Sequence, residues 1–308
     1  MRSHTLVARL SVRGAVERPE LCCDRDVTEN NSDPVQLRSV AEQLAGEAAA
    51  FVSRRRAEVF GDTAALPDTA SSVRAKSTPT DPVTVVDTET ERLLRERLAV
   101  LRPGEPVLGE EEGGSLAAAK GQYTWVLDPI DGTVNFVYGI EAYAVSVAVQ
   151  RDGASVAGAV ADVPTGALYS AAVGHGARLQ RGGVTSPLRC STATELSMSL
   201  VGTGFAYDAE HRRRQAELVA KIVPAVRDVR RIGSCALDLC MVAAGQLDAY
   251  YEEGVQLWDW AAGALIAAEA GATVRLPPVD LSAEQPGGMI MASAPGVADA
   301  LSVALGLA

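Results

Sequence analysis

The chain has 308 residues, of which 47% are hydrophobic, 22% charged and 5% aromatic, an ordinary globular mix with enough apolar material for one large core or two smaller ones. Its net charge of −11 argues against a nucleic-acid-binding surface, which needs clustered Lys and Arg. Five cysteines without CxxC spacing indicate neither a disulfide framework nor a zinc site and fit a reducing cytoplasm, and no apolar run reaches the roughly 20 residues of a membrane span.

The N-terminal segment does not predict a folded element. Residues 1–32 are polar and mixed, without a helix or strand period, and we interpret them as a disordered or non-native extension. No small-residue cleavage site follows the short apolar stretches at the start, so a secretory signal is not expected. Initiation at a valine codon for Val27 would omit residues 1–26, and we expect these residues to be dispensable.

Two helices are predicted where the ordered chain begins. Asp33-Pro34 provides an N-cap followed by proline at the first helical position. The apolar residues behind it fall on one helical face, namely Leu37, Val40, Ala41, Leu44, Ala48, Phe51 and Val52. A second helix is predicted over 88–101, where leucines recur at helical spacing until Pro103-Gly104 ends the pattern.

The middle of the chain has the pattern of consecutive strands. Strands are predicted over 124–127, 143–149, 155–161 and 167–172. Asp152-Gly153, between the second and third of these strands, is a strong hairpin signal. An antiparallel meander is therefore expected in this part of the chain.

The second half alternates between helix and strand patterns. Strands are predicted near residue 200 and over 247–251, 273–276 and 289–292, and helices over 217–223, 236–244 and 261–270. Such alternation indicates a mostly parallel or mixed sheet. We therefore predict an α/β protein of two packed subdomains. The N-terminal one, 33–185, has an antiparallel sheet, and the C-terminal one, 186–308, has a mixed or parallel sheet.

The strongest chemical signal is a pair of aspartates at the end of an apolar strand. Asp128 and Asp131 stand three residues apart, with Pro129 between them and Gly132 behind them. The proline stiffens the turn, and the glycine allows a close backbone approach to a ligand. The amides of Gly132 and Thr133 can point at an anion. Hard oxygen ligands in this arrangement suit Mg²⁺; the alternative is a solvated turn after a strand.

Acidic residues follow apolar segments at three further places in the chain. Glu110, Glu111 and Glu112 form an acidic loop, Asp87 stands between a strand and a helix, and Asp259 precedes an apolar helix. Each has an ordinary alternative, which is a solvated charge run for the loop and a helix N-cap for each aspartate. These carboxylates meet the aspartate pair only if folding brings them together, which spacing by itself does not establish.

Taken together, these motifs resemble the inositol monophosphatase family. The chain contains Gly109-Glu-Glu, then Asp128-Pro-Ile-Asp-Gly-Thr-Val-Asn-Phe136, then Trp258-Asp-x-Ala-Ala-Gly263, in the family's order and over roughly residues 34–300. The resemblance implies a layered α/β/α/β/α sandwich, a homodimer and a Mg²⁺-dependent, Li⁺-sensitive phosphatase. It assigns metal binding to the N-terminal subdomain and substrate binding to the C-terminal one.

The metal ligands that the resemblance implies are carboxylates and one carbonyl. A first Mg²⁺ is expected at Glu110, Asp128 and the carbonyl of Ile130. A second is expected at Asp128, Asp131 and Asp259, with two or three ions per site. Two ions roughly 4 Å apart activate water, neutralise phosphoryl oxygens and stabilise the leaving alkoxide.

The resemblance also implies four catalytic residues. Thr133 and Asp87 match the pair that orients the nucleophilic water, Glu111 matches an acid that assists the metal ligands, and Lys76 matches a lysine near the metals. A solvated surface position is the alternative for Lys76. The three histidines lie in none of these motifs, so a histidine-based phosphatase, a Ser-His-Asp hydrolase and a His-ligated zinc site are poorly supported. The sequence contains no P-loop motif, so nothing in it indicates a kinase.

The implied substrate contacts come from both halves of the chain. They are Asp131, Gly132, Thr133, Gly233, Ser234, Cys235, Glu252 and Asp259. Glu252 matches an acid that accepts hydrogen bonds from sugar hydroxyls, as a carboxylate can do with both oxygens; an exposed loop acid is the alternative. Cys235, Glu112 and Trp260 depart from the family pattern, which leaves metal affinity and pocket width open.

The sequence therefore predicts Mg²⁺-dependent hydrolysis of a small phosphomonoester, with myo-inositol 1-phosphate favoured. Sister phosphatases that act on histidinol phosphate, fructose bisphosphate or a 3′-phosphonucleotide share the metal residues, so those residues do not separate the candidates. The other class left open is a non-catalytic regulatory binding protein on the same fold. No nucleic-acid or membrane partner is expected.

Overall fold

The computed structural model describes residues 33–61, 73–75, 82–116, 119–278 and 288–307. The interpretation of residues 1–32 and the role predicted for Lys76 lie outside the described residues. The described helices are α1 (Pro34–Phe60), α2 (Val85–Leu101), α3 (Thr133–Tyr138), α4 (Ala209–Ile222), α5 (Cys235–Ala243), α6 (Leu257–Glu269) and α7 (Ala298–Ala304). None of these helices is long and apolar enough to cross a membrane.

The strands belong to one two-stranded ladder and two larger sheets. They are β1 (Val73–Ala75), β2 (Pro82–Thr84), β3 (Val107–Gly109), β4 (Gly113–Gly114), β5 (Tyr123–Asp131), β6 (Ala144–Arg151), β7 (Ala154–Asp162), β8 (Ala167–Ala172), β9 (Ala177–Arg181), β10 (Val184–Pro187), β11 (Leu200–Thr203), β12 (Asp228–Arg230), β13 (Ala249–Glu253), β14 (Thr273–Arg275) and β15 (Met289–Ser293).

Strands β3 to β10 form an eight-stranded sheet in the order β10-β9-β8-β7-β6-β5-β3-β4. Neighbouring strands are antiparallel except β3 and β5, which run parallel. The predicted meander is confirmed as β6, β7 and β8. Its first turn is Asp152-Gly153, where both residues have positive φ, 52° and 79°, as a tight primed turn requires. The sequence pattern misses β3, β4, β9 and β10, because strands this short carry little periodic signal.

Strands β11 to β15 form a five-stranded sheet in the order β12-β11-β13-β15-β14. β11 runs parallel to β12 and β13, whereas β15 is antiparallel to β13 and β14. The predicted mixed sheet is therefore confirmed.

Helices cover and separate the two sheets. α1 and α2 pack on one face of the eight-stranded sheet, in a core that includes Leu44 and Trp125. α5 and α6 fill the space between the sheets, where Leu239 and Ile266 are fully buried. α4 and α7 cover the outer face of the five-stranded sheet, around Leu301. The predicted α/β/α/β/α sandwich is confirmed, since each apolar sheet face is buried by helices.

The two sheets follow one another along the chain. The eight-stranded sheet ends at Pro187, and the five-stranded sheet begins at Leu200. The central helices α5 and α6 contact both sheets. The division into subdomains at residues 185 and 186 stays a prediction.

Three helices begin earlier than the sequence indicates. α2 begins at Val85 with Thr84 as its N-cap, so the alternative in which Asp87 is the N-cap is wrong, and Asp87 lies at N3 of a capping box. α6 begins at Leu257, which places Asp259 inside the first turn rather than before the helix. α4 begins eight residues before the predicted 217, because its Arg-rich first half has no apolar period.

Candidate functional site

Two parallel strands bring the first pair of acids together. β3 lies beside β5 with Gly109 opposite Leu127, and the N–H of Glu110 donates to the carbonyl of Leu127 at 3.2 Å. Glu110, the residue after β3, and Asp128, which lies within β5, are therefore at the same level of the sheet. The side chain of Asp128 is buried, and this burial raises its pKa well above the usual range, followed in effect by the charge of Glu110.

A bulge turns the second aspartate of the motif toward the first. Residues three apart in a regular strand point to opposite faces. Here the pairing of β5 with β6 shifts register between Asp128 and Asp131, and Oδ1 of Asp128 accepts a hydrogen bond from the N–H of Ile130 at 3.0 Å. This local turn, stiffened by Pro129, is an Asx-type turn within a bulge. As a result both carboxylates face the same cluster.

Asp131 lies at the N-terminus of α5. Its Oδ2 accepts hydrogen bonds from the hydroxyl of Ser234 and from the N–H of Ala236, both at 2.6 Å. A carboxylate at a helix N-terminus is favoured by the exposed N–H groups and the helix dipole. Burial raises the pKa of Asp131 to about 6, and these two hydrogen bonds act in the opposite direction.

Asp259 approaches from α6, the other central helix. Its Oδ2 accepts the N–H of Gln256 at 2.6 Å, so the side chain caps the helix on which it stands. Its pKa is raised well above the usual range, first by burial and then by the charges of Asp131 and Glu110. The aspartate therefore combines a structural contact with a position in the acidic cluster.

The three aspartates form a compact cluster that fits a hard cation. Oxygens of Asp128, Asp131 and Asp259 all lie within 4.8 Å of one another. Burial and mutual repulsion raise the pKa of Asp128 and Asp259, because charged carboxylates are costly to bring together in a poorly solvated place. An oxygen-only donor set of this kind suits Mg²⁺, which binds through a few carboxylates together with water and phosphate oxygens.

A threonine beside the cluster is held by a buried acid. The hydroxyl of Thr133 lies 3.1 Å from Oδ1 of Asp87 and 3.0 Å from the carbonyl oxygen of Ile130. Oδ2 of Asp87 accepts the hydroxyl of Thr84 and, at 2.9 Å, its N–H. A hydroxyl has a single proton, so Thr133 donates to one acceptor at a time. Asp87 is completely buried and is oriented by the start of α2.

Glycine is required where the motif turn meets the C-terminal half. Gly132 has φ +97°, and a Cβ there would lie 2.9 Å from the carbonyl oxygen of Ala142 and 3.1 Å from that of Gly233. The amide of Asn135 donates to the carbonyls of Ala142 and Ile232 at 2.8 and 2.9 Å. These contacts bring the turn before α5 against the turn before α3.

The predicted sugar contact Glu252 lies in a separate polar group. Its Oε2 accepts the hydroxyl of Tyr250 at 2.5 Å, and its carboxylate packs so closely on Gly204 that a Cβ there would overlap it. Burial raises the pKa of Glu252 to about 7, while the Tyr250 hydrogen bond and the charge of Arg231 lower it. The alternative of an exposed loop acid is wrong, because Glu252 lies within β13 and is partly buried.

The three departures from the family pattern point away from the cluster centre or fill core space. Glu112 is exposed, and its Oε2 lies 3.4 Å from Nε of Arg95. Trp260 is buried in the core between the sheets. Cys235 is buried at the start of α5, where burial raises the pKa of its thiol well above the usual range.

Some polar residues near the site are missed by the sequence interpretation. They are Glu91, Arg95, Asn135, Tyr250 and Asp238. Glu91 is completely buried and stands one helical turn after Asp87, which is the signal that could have identified it. Asp238 is an acid within the apolar helix α5, and its Oδ1 has no hydrogen-bond partner among the described residues.

Comparison with known proteins gives consistent matches. The model of the inositol monophosphatase family matches residues 33–302. The chain is 62% identical over 285 residues to inositol-1-monophosphatase SuhB of Mycobacterium tuberculosis, covering 91% of this chain and 96% of that protein. It is 64% identical to inositol-1-monophosphatase of Mycobacterium leprae, with the same two coverages. It is also 37% identical over 195 residues, 63% of this chain and 71% of that protein, to Nus factor SuhB of Pasteurella multocida.

Solved structures also superpose on this chain. Mycobacterium tuberculosis SuhB superposes with a TM-score of 0.74 at 59% identity, covering 89% of this chain and 97% of that chain. Inositol monophosphatase from Anabaena sp. PCC 7120 superposes with a TM-score of 0.70 at 30% identity, covering 88% and 95%.

Proposed function

Because this chain belongs to the inositol monophosphatase family, we propose that it is a Mg²⁺-dependent phosphatase that hydrolyses myo-inositol 1-phosphate to inositol and phosphate. The observation that carries the proposal is the cluster of Asp128, Asp131 and Asp259, with carboxylate oxygens within 4.8 Å of one another, beside the Thr133–Asp87 pair. The names of the mycobacterial relatives support the substrate.

The proposed metal ligands are Glu110, Asp128, Asp131 and Asp259, with the carbonyl of Ile130. Bound Mg²⁺ would supply charge neutralisation for the phosphoryl oxygens, a more acidic water and stabilisation of the leaving oxygen. Without a cation, the negative charges of these acids would repel one another and would also repel a dianionic phosphate. We propose two or three ions per site.

Thr133 and Asp87 are the proposed pair that orients the nucleophilic water. Asp87 accepts from Thr84 and Thr133, so its orientation is fixed before substrate binds. With its proton directed to Asp87, the Thr133 hydroxyl keeps lone pairs with which it can accept a hydrogen bond from water. Glu111 and Lys76 keep their proposed assisting roles at the metals.

The proposed alcohol contacts are Glu252 and the turn before α5. Glu252, ionised, can accept hydrogen bonds from two neighbouring hydroxyls. Gly233, Ser234 and Cys235 form the turn before α5 that is proposed to meet the sugar ring. Asp131, Gly132, Thr133 and Asp259 remain the proposed contacts on the phosphate side.

The test is phosphate release from inositol 1-phosphate with and without Mg²⁺. Histidinol phosphate, fructose 1,6-bisphosphate and a 3′-phosphonucleotide serve as competing substrates. We expect Mg²⁺-dependent preference for inositol 1-phosphate, and a loss of about 10²-fold or more for Asp131→Asn, since metal stabilisation of phosphoryl charge is worth several kcal/mol. Preference for another member of the panel would retain the mechanism and replace the substrate.

A regulatory binding protein is the second candidate function. It is favoured by the match to relatives named Nus factor SuhB, although at lower identity and coverage than the match to the mycobacterial enzymes. Asp131→Ala separates the two, because an enzyme loses turnover whereas a binding scaffold keeps its partner. Turnover by none of the panel, with folded protein and ample Mg²⁺, would favour the binding protein.

Li⁺ inhibition, a homodimer and a cytoplasmic location complete the proposal. Each follows from family membership or from cysteine usage. Enzyme assays with LiCl and light scattering of the purified chain test the first two.

A further inference from the structure

A buried acid outside the proposed site holds the loop that carries Glu110. Glu91 lies on α2 and is completely buried. Its Oε2 accepts the backbone N–H of Glu111 at 2.7 Å, and its Oε1 accepts that of Glu112 at 3.0 Å. Both oxygens of one carboxylate therefore bind consecutive amides of the loop between β3 and β4.

An arginine one helical turn further along α2 completes the contact. Nε of Arg95 donates to Oε1 of Glu91 at 2.8 Å, and its Nη2 donates to the carbonyl of Gly113 at 2.6 Å. The same guanidinium lies 3.4 Å from the carboxylate of Glu112. The carboxylate of Glu91 thus binds the amides of the loop, and the guanidinium of Arg95 binds the carbonyl at the end of the loop.

The loop is shaped to fit this pair. A Cβ at Gly109 would overlap the Glu91 carboxylate, so any other residue before Glu110 would displace this carboxylate from its position. At the other end, Gly113 and Gly114 have φ +68° and +131°, in the region that favours glycine. The close approach of the loop to α2 is therefore built into three positions of the sequence.

We propose that Glu91 and Arg95 are positioning residues that act through Glu110. They fix the backbone on both sides of Glu110, by the contact with Gly109 before it and the hydrogen bonds to Glu111 and Glu112 after it. This directs the Glu110 carboxylate toward Asp128 and sets the affinity of the cluster for a divalent cation. The inference rests on the metal role of Glu110 in the proposed function.

Charge explains why an acid is suited to this place. The two amides are donors, and an ionised carboxylate is an acceptor at both oxygens, whereas glutamine would turn an NH₂ donor toward one of them. Arg95 neutralises Glu91, so the contact adds no net charge next to four clustered acids. Loss of a group that orients a metal ligand typically weakens metal binding by about 10- to 100-fold.

The experiment measures Mg²⁺ binding to the full chain without substrate, by isothermal titration calorimetry. We expect Glu91→Gln to weaken binding by about 10- to 100-fold and Glu110→Gln to weaken it at least as much. In the Glu110→Gln background, Glu91→Gln should add almost nothing, because its effect passes through Glu110. A general structural role would instead give additive losses.

Two further variants keep the test decisive. Arg95→Lys retains the positive charge but not the fork that reaches both Glu91 and Gly113, so a smaller loss of Mg²⁺ affinity is expected. Because the side chain of Arg95 is partly exposed, this variant should remain folded. Glu42→Gln is the matched control. Glu42 is also a helical acid bound by an arginine, Arg178 at 2.7 Å, but it lies beside β8 and β9, toward the opposite edge of the eight-stranded sheet from β3 and β4. The Glu42→Gln variant should lower the stability of the protein and leave its Mg²⁺ binding unchanged.

The outcomes separate this inference from the proposed function. Wild-type protein that binds Mg²⁺ without hydrolysing inositol 1-phosphate would contradict the proposed substrate only. Normal Mg²⁺ binding by Glu91→Gln, additive losses in the double variant or an equal loss in Glu42→Gln would overturn the positioning role. Wild-type protein without Mg²⁺ binding would overturn both.

Discussion

The hydroxyl of Tyr250 donates a hydrogen bond to Oε2 of Glu252 at 2.5 Å. The two residues lie two positions apart in β13, on the same face of the five-stranded sheet, and burial raises the pKa of Glu252 to about 7. The hydrogen bond favours the ionised carboxylate and so opposes the effect of burial. Tyr250 therefore lowers the pH at which Glu252 becomes ionised, which is the state that the proposed polyol contact requires.

Tyr250→Phe is expected to raise the pKa of Glu252 further. A hydrogen bond to a charged group is worth about 1.5–3 kcal/mol, which corresponds to about one to two pH units. At pH 7 more of Glu252 is then protonated, and KM for inositol 1-phosphate rises several-fold. The measurement is kcat/KM against pH, where the acidic limb should move to higher pH.

Tyr251→Phe is the control for this shift. Tyr251 is the next residue of β13 and packs in the outer core, on the opposite face from Tyr250. Its variant should leave the acidic limb in place. An unchanged limb in Tyr250→Phe would contradict the role of the hydrogen bond.

Thr133→Ala is expected to lower kcat and leave Mg²⁺ affinity nearly unchanged. The hydroxyl is hydrogen-bonded to Asp87 at 3.1 Å, and loss of a group that positions or deprotonates the nucleophile typically costs about 10²- to 10⁴-fold in rate. Steady-state kinetics combined with calorimetric Mg²⁺ titration provide the measurement. Thr133→Ser keeps the hydroxyl and should retain most of the activity; equal losses in both variants would argue that the methyl group matters instead.

The elements that the sequence predicted correctly are those in which the local sequence pattern agrees with the way the residues are buried. α1 begins at its predicted cap, where Asp33 accepts the N–H of Val35, and the meander has the predicted strands and hairpin turn. Helix starts were less accurate. Val85 and Val86 read as the end of a strand because they are β-branched, yet Thr84 caps a helix there.

The site was predicted by motif rather than by geometry. The parallel pairing of β3 with β5 brings Glu110 beside Asp128, and no local pattern around either residue encodes that pairing. Glu91 was missed for a related reason. It lies among Glu89, Arg92 and Arg95, which is the composition of a solvated helix face, but the loop folds over it and buries it completely.

Glu252→Gln is expected to stabilise the metal-free protein at alkaline pH while lowering activity. The pKa of Glu252 is about 7 in the folded protein against an ordinary value of 4.5, so the native state binds more protons than the unfolded state between these two pH values. Stability from this group is thus fully present below pH 4.5 and is lost as pH rises through 7. The midpoint of thermal unfolding, measured in EDTA, should fall less across this pH window for the variant than for the wild-type protein. An identical fall in both proteins would show that Glu252 does not contribute.

Gly132→Ala is expected to destabilise the protein more than alanine at another left-handed glycine. The backbone at Gly132 has φ +97°, and the added Cβ would lie 2.9 Å from the carbonyl oxygen of Ala142 and 3.1 Å from that of Gly233. We expect a loss of about 1–2 kcal/mol from the backbone conformation and about 1–3 kcal/mol from overpacking. Gly176 is the matched control, since it has φ +72° with no described atom within 4 Å of a Cβ, and Gly176→Ala should show only the first loss. Urea unfolding gives both values. Because the same contacts bring the turn after Asp131 against the turn before α5, Gly132→Ala should also lower turnover, whereas equal destabilisation by the two variants would mean that the turns can move apart freely.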